Sequence, residues 1–257
     1  MGIDPHAFLL AEWGLPDTAD GVRDFGLRVV DAAAGRVAIV KPQVAFFERH
    51  GSAGLAALEH VMAAARAQGV LVLADAKRGD IGSTFDGYAE AWLRAGSPLE
   101  ADALTVSPYL GIGSVTGPRD IAAANGKGLF VLAATSNPEA ADLQKSRASS
   151  GSTVAAGIVD EVANWNSTSP GLGSTGLVIG ATVNRADFGI DDLGSTPVLA
   201  PGFGHQGARV SDVRAIFGSA AEQVLVSSSR EILAAGPSGL IAAIEGQRSE
   251  LVEALRA

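Results

Sequence analysis

Seven short apolar runs punctuate the chain: VAIVK (37–41), VLVLADAK (70–77), ALTVS (103–107), LFVLAAT (129–135), LVIGAT (177–182), PVLA (197–200) and QVLVSS (223–228). They are nearly continuous in Val, Leu, Ile and Ala rather than alternating, as in parallel strands covered on both faces. Helical patterns lie between them. In 52–68, Leu55, Leu58, Met62 and Ala65 follow a 3-4-3 spacing, and Gly69 closes the segment. In 83–95, Phe85, Tyr88, Ala89, Trp92 and Leu93 line one face, with Ser83 and Asp86 spaced as a capping box. Segment 238–256, with Leu240, Ile241, Ile244, Leu251 and Leu255, reads as a terminal helix. Strand–helix alternation implies a parallel sheet with right-handed crossovers. With MGID (1–4) as a further strand, the 257 residues match the size of a TIM (β/α)8 barrel. A single barrel domain over 1–257 is the expectation, and a doubly wound α/β sheet is the alternative. Met1–Asp4 is barely long enough to be a strand, so either the barrel seam is short or the natural start lies upstream.

The composition suits a packed fold, with 47% hydrophobic and 18% charged residues. Lys and Arg number 19 against 28 Asp and Glu, a net charge of −9. That balance argues against nucleic acid or an anionic membrane as a main partner, since Lys and Arg hold both. An anionic ligand would need its cations concentrated locally. The absence of cysteine excludes disulfides, thiolate nucleophiles and Cys-based metal sites. MGIDPHAFLLAEWG has no basic start followed by a long apolar stretch, so it does not read as a secretory leader. No apolar run approaches the roughly 20 residues that cross a bilayer. A soluble, cytoplasmic protein is expected.

The run at 71–84, LVLADAKRGDIGST, ends in Asp75, Lys77, Arg78 and Asp80. Lone buried charges are costly, so these need either solvent or partners. Barrel and open α/β enzymes place their chemistry at the C-terminal ends of strands. There the chain carries Asp4, Lys41, the Asp75/Lys77 pair, Thr135-Ser136-Asn137, PGFGHQG (201–207) and Arg230. Asp75 and Lys77, two apart on a strand, share a face. Any one of these alone reads as a solvated turn residue. Alternating Lys and Asp on three consecutive strand ends instead reads as a site whose charges compensate one another. In PGFGHQG the glycines open the backbone to an anion and Gln206 can donate a hydrogen bond. With Arg230 at the next strand end, this points to phosphate.

Other motifs carry less. GLGSTG (171–176) matches a dinucleotide fingerprint but precedes a strand instead of following one, and GIGSVTG (111–117) has the wrong spacing. Asn166-Ser167-Thr168 fits a glycosylation acceptor, which has no meaning without a secretory signal. His6, His50, His60 and His205 show no metal-ligand spacing and read as surface residues, while Trp13, Trp92 and Trp165 read as packing residues.

With GIDPH, VKPQVAFFERHG (40–51), DAKRGDIGST (75–84), TSNPE (135–139), PGFGHQGA (201–208) and SSSREI (227–232) in place, the chain strongly resembles the orotidine 5′-phosphate decarboxylases. The resemblance covers almost the whole chain, and GIDPH and DAKRGDIGST look like the branch common in actinobacteria. Gly82 stands where many relatives carry proline, which fits that branch. Asp-x-Lys-x-x-Asp alone is shared with sugar-phosphate relatives. The resemblance implies conversion of orotidine 5′-phosphate to UMP by a homodimer of TIM barrels, with active sites at the interface and neither metal nor organic cofactor. It implies that Asp4 and Lys41 hold the ribose hydroxyls and that Asp75 faces the substrate carboxylate. Lys77 would deliver a proton to C6, and Asp80 and Thr84 would reach the ribose from the partner subunit. Ser136 would bind the pyrimidine amide edge. The loop Pro201, Gly202 and Gly204, with Gln206 and Arg230, would grip the phosphate. Two alternatives stand beside it: a metal-assisted enzyme acting on a sugar phosphate, and a catalytically silent nucleotide-binding barrel. TSNPE speaks against the first, and the presence of Lys41, Asp75, Lys77 and Asp80 against the second.

Overall fold

The computed structural model describes residues 1–256. The chain runs β1 (Gly2–Ile3), α1 (Ala7–Glu12), α2 (Ala19–Ala33), β2 (Ile39–Pro42), α3 (Ala45–Glu48), α4 (Gly51–Ala67), β3 (Leu71–Arg78), α5 (Gly82–Leu93) and β4 (Ala103–Val106). It continues through α6 (Thr116–Ala124), β5 (Gly128–Ala134), α7 (Ala141–Gln144), α8 (Val154–Asn166), β6 (Thr175–Ile179) and β7 (Val198–Pro201). The last elements are α9 (Val213–Phe217), β8 (Val224–Ser227), α10 (Arg230–Leu233) and α11 (Gly236–Arg256). The strands pair in chain order and every neighbouring pair is parallel. The Gly2 N–H donates to the Ser228 carbonyl (3.0 Å), which brings the last strand back to the first. This is the TIM barrel, and a doubly wound sheet, whose strand order reverses at a switch point, is excluded. Among the described residues no helix is long and apolar enough to cross a membrane.

Side chains alternate across each strand, so each run feeds two cores. The outward set, including Val40, Val72, Ala74, Leu104, Leu129, Val131 and Leu177, packs under the helices. The inward set forms a separate small cluster of Leu73, Phe130, Val178 and Leu199, flanked by Ile39, Ala103, Leu132 and Leu225. Apolar side chains on both faces explain why the sequence runs are continuous. In α4, Leu58, Met62 and Ala65 are buried as their spacing requires, with Leu55 at the margin. In α5, Phe85, Ala89, Trp92 and Leu93 are buried, whereas Tyr88 is exposed. In α11, Leu240 and Ile244 are buried and Ile241 is exposed.

The capping box at Ser83 and Asp86 does not form. Gly82, at φ +52°, turns the chain into α5 one residue early, so Ile81 occupies the capping position with no side-chain acceptor. Ser83 then lies inside the first turn, and Asp86 packs against Gly117 of α6, where a Cβ would collide with its carboxylate.

A bulky ring inside the barrel needs room on a neighbouring strand. Gly176 of β6 provides it: a Cβ there would lie 2.6 Å from Phe130 Cδ1 and 2.7 Å from the Pro197 carbonyl oxygen. Gly176→Ala is therefore expected to destabilise the protein by about 1–3 kcal/mol through overpacking, read as a lower denaturation midpoint at unchanged slope. Adding Phe130→Leu should restore part of the loss, because the Pro197 carbonyl remains in the way.

Candidate active site

The barrel interior changes character towards the C-terminal ends of β2, β3, β4 and β8. Ile39, Leu73, Ala103 and Leu225 point inward in the apolar cluster. The next inward positions on the same strands are Lys41, Asp75, Thr105 and Ser227, all buried and all polar. Lys41, Asp75 and Ser227 form the floor of a cavity of about 460 Å³ at the C-terminal mouth of the barrel, and Thr105 supports that floor by donating to Asp75. Of the residues expected from the sequence, Asp4, Lys41, Asp75, Lys77, Ser136, Pro201, Gly202, Gln206 and Arg230 line it. Gly204, Asp80 and Thr84 do not.

Asp75 is the centre of the floor. Its Oδ2 accepts from Lys41 Nζ (2.8 Å), and its Oδ1 accepts from Lys77 Nζ (2.6 Å) and the Thr105 hydroxyl (2.9 Å). Burial raises the Asp75 carboxyl, but the two ammonium groups outweigh it and hold the group at about 2. Burial likewise lowers Lys41, and Asp75 and Asp4 outweigh it, so its ammonium is held above the ordinary lysine value. Lys41 Nζ also donates to Gln43 Oε1 (3.2 Å). Lys77 differs in being open: its side chain is 45% exposed and reaches from the floor into the cavity.

Lys77 is also the one non-glycine residue at positive φ (+48°) among the described residues. A bulky residue there is a backbone outlier. The β3–β4 register jumps between Ala74 and Arg78, so the strand bulges at the lysine.

The opposite wall comes from β5, β7 and β8. Gln144 holds the end of β5 twice, accepting the Thr135 N–H (2.9 Å) and donating to the Thr135 hydroxyl (3.0 Å). Beside it the Ser136 hydroxyl donates to Gln206 Oε1 (3.4 Å), leaving the Gln206 amide N–H groups for a ligand. The loop after β7 folds on itself. The Gly204 N–H donates to the Ala208 carbonyl (2.8 Å) and the Gly207 N–H to the Gly204 carbonyl (2.8 Å). The Gly204 N–H is thus already engaged, and the residue matters for shape: φ is +76° and a Cβ would collide with the Glu231 carboxylate. Asp80 Oδ1 caps its own turn by accepting the Ile81 N–H (2.8 Å), and Thr84 is exposed on α5.

Gln43, which lines the cavity, and Thr105, which hydrogen-bonds Asp75 without lining it, went unread in the sequence. Gln43 and Thr105 follow Lys41 and Ala103 on the inward parity, which was the signal available for them. His6 and His205 are not plain surface residues, because both line the cavity. His6 sits against the rings of Phe46 (4.3 Å between centroids) and Phe8 (5.3 Å). Burial, followed by the field of Arg230, pushes its imidazole below the usual histidine value.

Comparison with known proteins bears directly on this constellation. A profile described as the orotidine 5′-phosphate decarboxylase / HUMPS family matches residues 3–242. An orotidine 5′-phosphate decarboxylase of Salinispora arenicola is 50% identical over all of this chain and 91% of its own length. That of Streptomyces coelicolor is 51% identical over 92% of this chain and 85% of its own. A crystal structure of a Streptomyces avermitilis protein described as a candidate orotidine 5′-phosphate decarboxylase superposes with a TM-score of 0.95 at 49% identity, covering all of this chain and 90% of that one. The Leishmania donovani OMP decarboxylase structure gives 0.80 at 30% identity, over all of this chain and 93% of that one. The chain belongs to the orotidine 5′-phosphate decarboxylase / HUMPS family.

Proposed function

We propose that the protein decarboxylates orotidine 5′-phosphate to UMP, in pyrimidine biosynthesis, with no metal or organic cofactor. The observation that carries this reading is a solvent-open ammonium, Lys77 Nζ, fixed 2.6 Å from a buried carboxylate at the bottom of the cavity. Breaking the bond between C6 and the carboxylate releases CO₂ and leaves the electron pair on C6. No carbonyl is placed to delocalise that pair, so a charge positioned in advance is the available stabiliser. Lys77 supplies the charge, then gives its proton to C6 and recovers one from solvent. Asp75 holds Lys77 Nζ on one oxygen and Lys41 Nζ on the other. Asp4 and Lys41 take the ribose hydroxyls, and Ser136 takes the pyrimidine edge. Gln206, Arg230 and the backbone at Gly202 take the phosphate, with Pro201 and Gly204 shaping their loop. Phosphate binding is remote from C6, so its energy can order the site for the reaction.

The same reading makes the protein a homodimer in which Asp80 and Thr84 complete the neighbouring subunit's site. Two observations support this: neither residue lines the cavity of its own chain, and apolar side chains are exposed beside them. Ile81 is 61% exposed, Tyr109 75% and Leu110 54%. Their loops run together, since Gly79 packs against the Ser107 carbonyl.

Purified protein incubated with orotidine 5′-phosphate and a chelator should show the ultraviolet change of conversion to UMP. Lys77→Ala should abolish it while still binding UMP, and Arg230→Ala should weaken UMP binding most. Near-normal turnover by Lys77→Ala would refute the mechanism. Mixing inactive Lys77→Ala with inactive Asp80→Ala should regenerate turnover if sites are shared between subunits, and no recovery would assign Asp80 to its own chain.

Asp75 also sets an acid limit on stability. Its folded value of about 2 lies below the ordinary 3.8, so its contribution is complete above pH 4 and is lost as pH falls towards 2. The shift corresponds to about 2 kcal/mol. Removing the carboxylate leaves Lys41 buried without its partner, so Asp75→Asn should be clearly less stable at neutral pH. The gap from wild type in denaturant titrations should narrow between pH 4 and 2.

A further inference from the structure

A parallel ladder uses the backbone groups of every residue, and a bulge leaves one donor without its partner. At the β3 bulge that donor is the Lys77 N–H, and the Thr105 hydroxyl oxygen accepts it at 2.9 Å. The same hydroxyl donates to Asp75 Oδ1, which in turn accepts from Lys77 Nζ. The result is a closed ring from the lysine backbone, through Thr105 and Asp75, to the tip of the same lysine. Thr105 is 1% exposed and sits on β4, where pairing resumes at Arg78 and Val106.

The far side of the bulge is anchored outward. The Arg78 guanidinium lies 5.7 Å from the ring centroids of both Tyr88 and Trp92, pairs with Glu48 and donates to the Ala76 carbonyl (3.0 Å). Lys77 is thus the turning point between an inward ring and an outward clamp. Its left-handed conformation costs of order 1 kcal/mol and persists only where the surroundings impose it. The Thr105 hydroxyl ties that backbone conformation to the carboxylate that aims the ammonium.

We propose that Thr105 is a positioning residue for the reaction, its hydroxyl fixing where Lys77 Nζ stands relative to C6. This rests on the decarboxylase reading. Thr105 acts through Lys77 and Asp75, so its removal should lower kcat and leave phosphate-driven affinity intact. A misplacement of the ammonium by about 1 Å is enough for a loss on the order of 100-fold.

The test compares Thr105→Val, which keeps the shape, with Thr105→Ser, which keeps the hydroxyl. Wild-type turnover of orotidine 5′-phosphate is measured first, and its absence would overturn the decarboxylase reading itself. Given wild-type turnover, Thr105→Val is expected to lose about 10- to 100-fold in kcat. Its UMP affinity should be unchanged, and Thr105→Ser should stay near wild type. A Thr105→Val enzyme with normal kcat, or a Thr105→Ser enzyme as impaired as Thr105→Val, would overturn the proposal. Should Thr105→Val not accumulate as folded protein, Thr105→Ala removes the hydroxyl without added bulk, and normal kcat there would overturn it equally.

Discussion

A carboxylate buried inside a barrel is tolerable only if cations come with it, and Asp75 brings two. Lys41 reaches one of its oxygens from the neighbouring β2, and Lys77 reaches the other from two residues along β3. Taking any one of the three out of water alone would cost several kcal/mol. Together they form a mutually paired cluster with one excess positive charge, and Lys77 carries the end that remains open. Much of the surrounding architecture serves this cluster. β2 and β3 must be adjacent and in register to face Lys41 and Asp75, and β4 must present a hydroxyl at the β3 bulge.

That dependence explains what was legible in the sequence. The strands announced themselves because both of their faces are apolar, and the barrel followed from their number and spacing. The charges at strand ends announced themselves because an apolar run ending in Asp-x-Lys needs a reason. Thr105 was silent, because a threonine in a strand is ordinary and its role depends on a register jump that composition does not encode. His6 was misread for a related reason: its surroundings, Phe8, Phe46 and Arg230, come from three separate elements. The Ser83/Asp86 spacing suggested a cap that a positive φ at Gly82 pre-empted. Local patterns thus identified elements and parity, whereas contacts set by backbone irregularities stayed hidden.

The two walls of the cavity are held differently. The floor is fixed by charge and burial. The loop after β7 is fixed by its own backbone hydrogen bonds and by glycine conformations. A loop closed on itself keeps its shape by its own bonds, so on the proposed function the two ends of the substrate are recognised independently. Ser136 and Gln206, 3.4 Å apart, tie the end of β5 to that loop.

The boundary inside the barrel, where Ile39, Leu73, Ala103 and Leu225 give way to Lys41, Asp75, Thr105 and Ser227, has an evolutionary consequence. Folding stability and chemistry occupy successive layers of the same strands. Descendants of such a chain can retune the upper layer over an unchanged lower one, provided that buried partners such as Lys41 and Asp75 change together. Relatives that have traded one reaction for another should therefore keep the apolar plug together with the Asp-x-Lys-x-x-Asp element, and diverge in the polar residues around it.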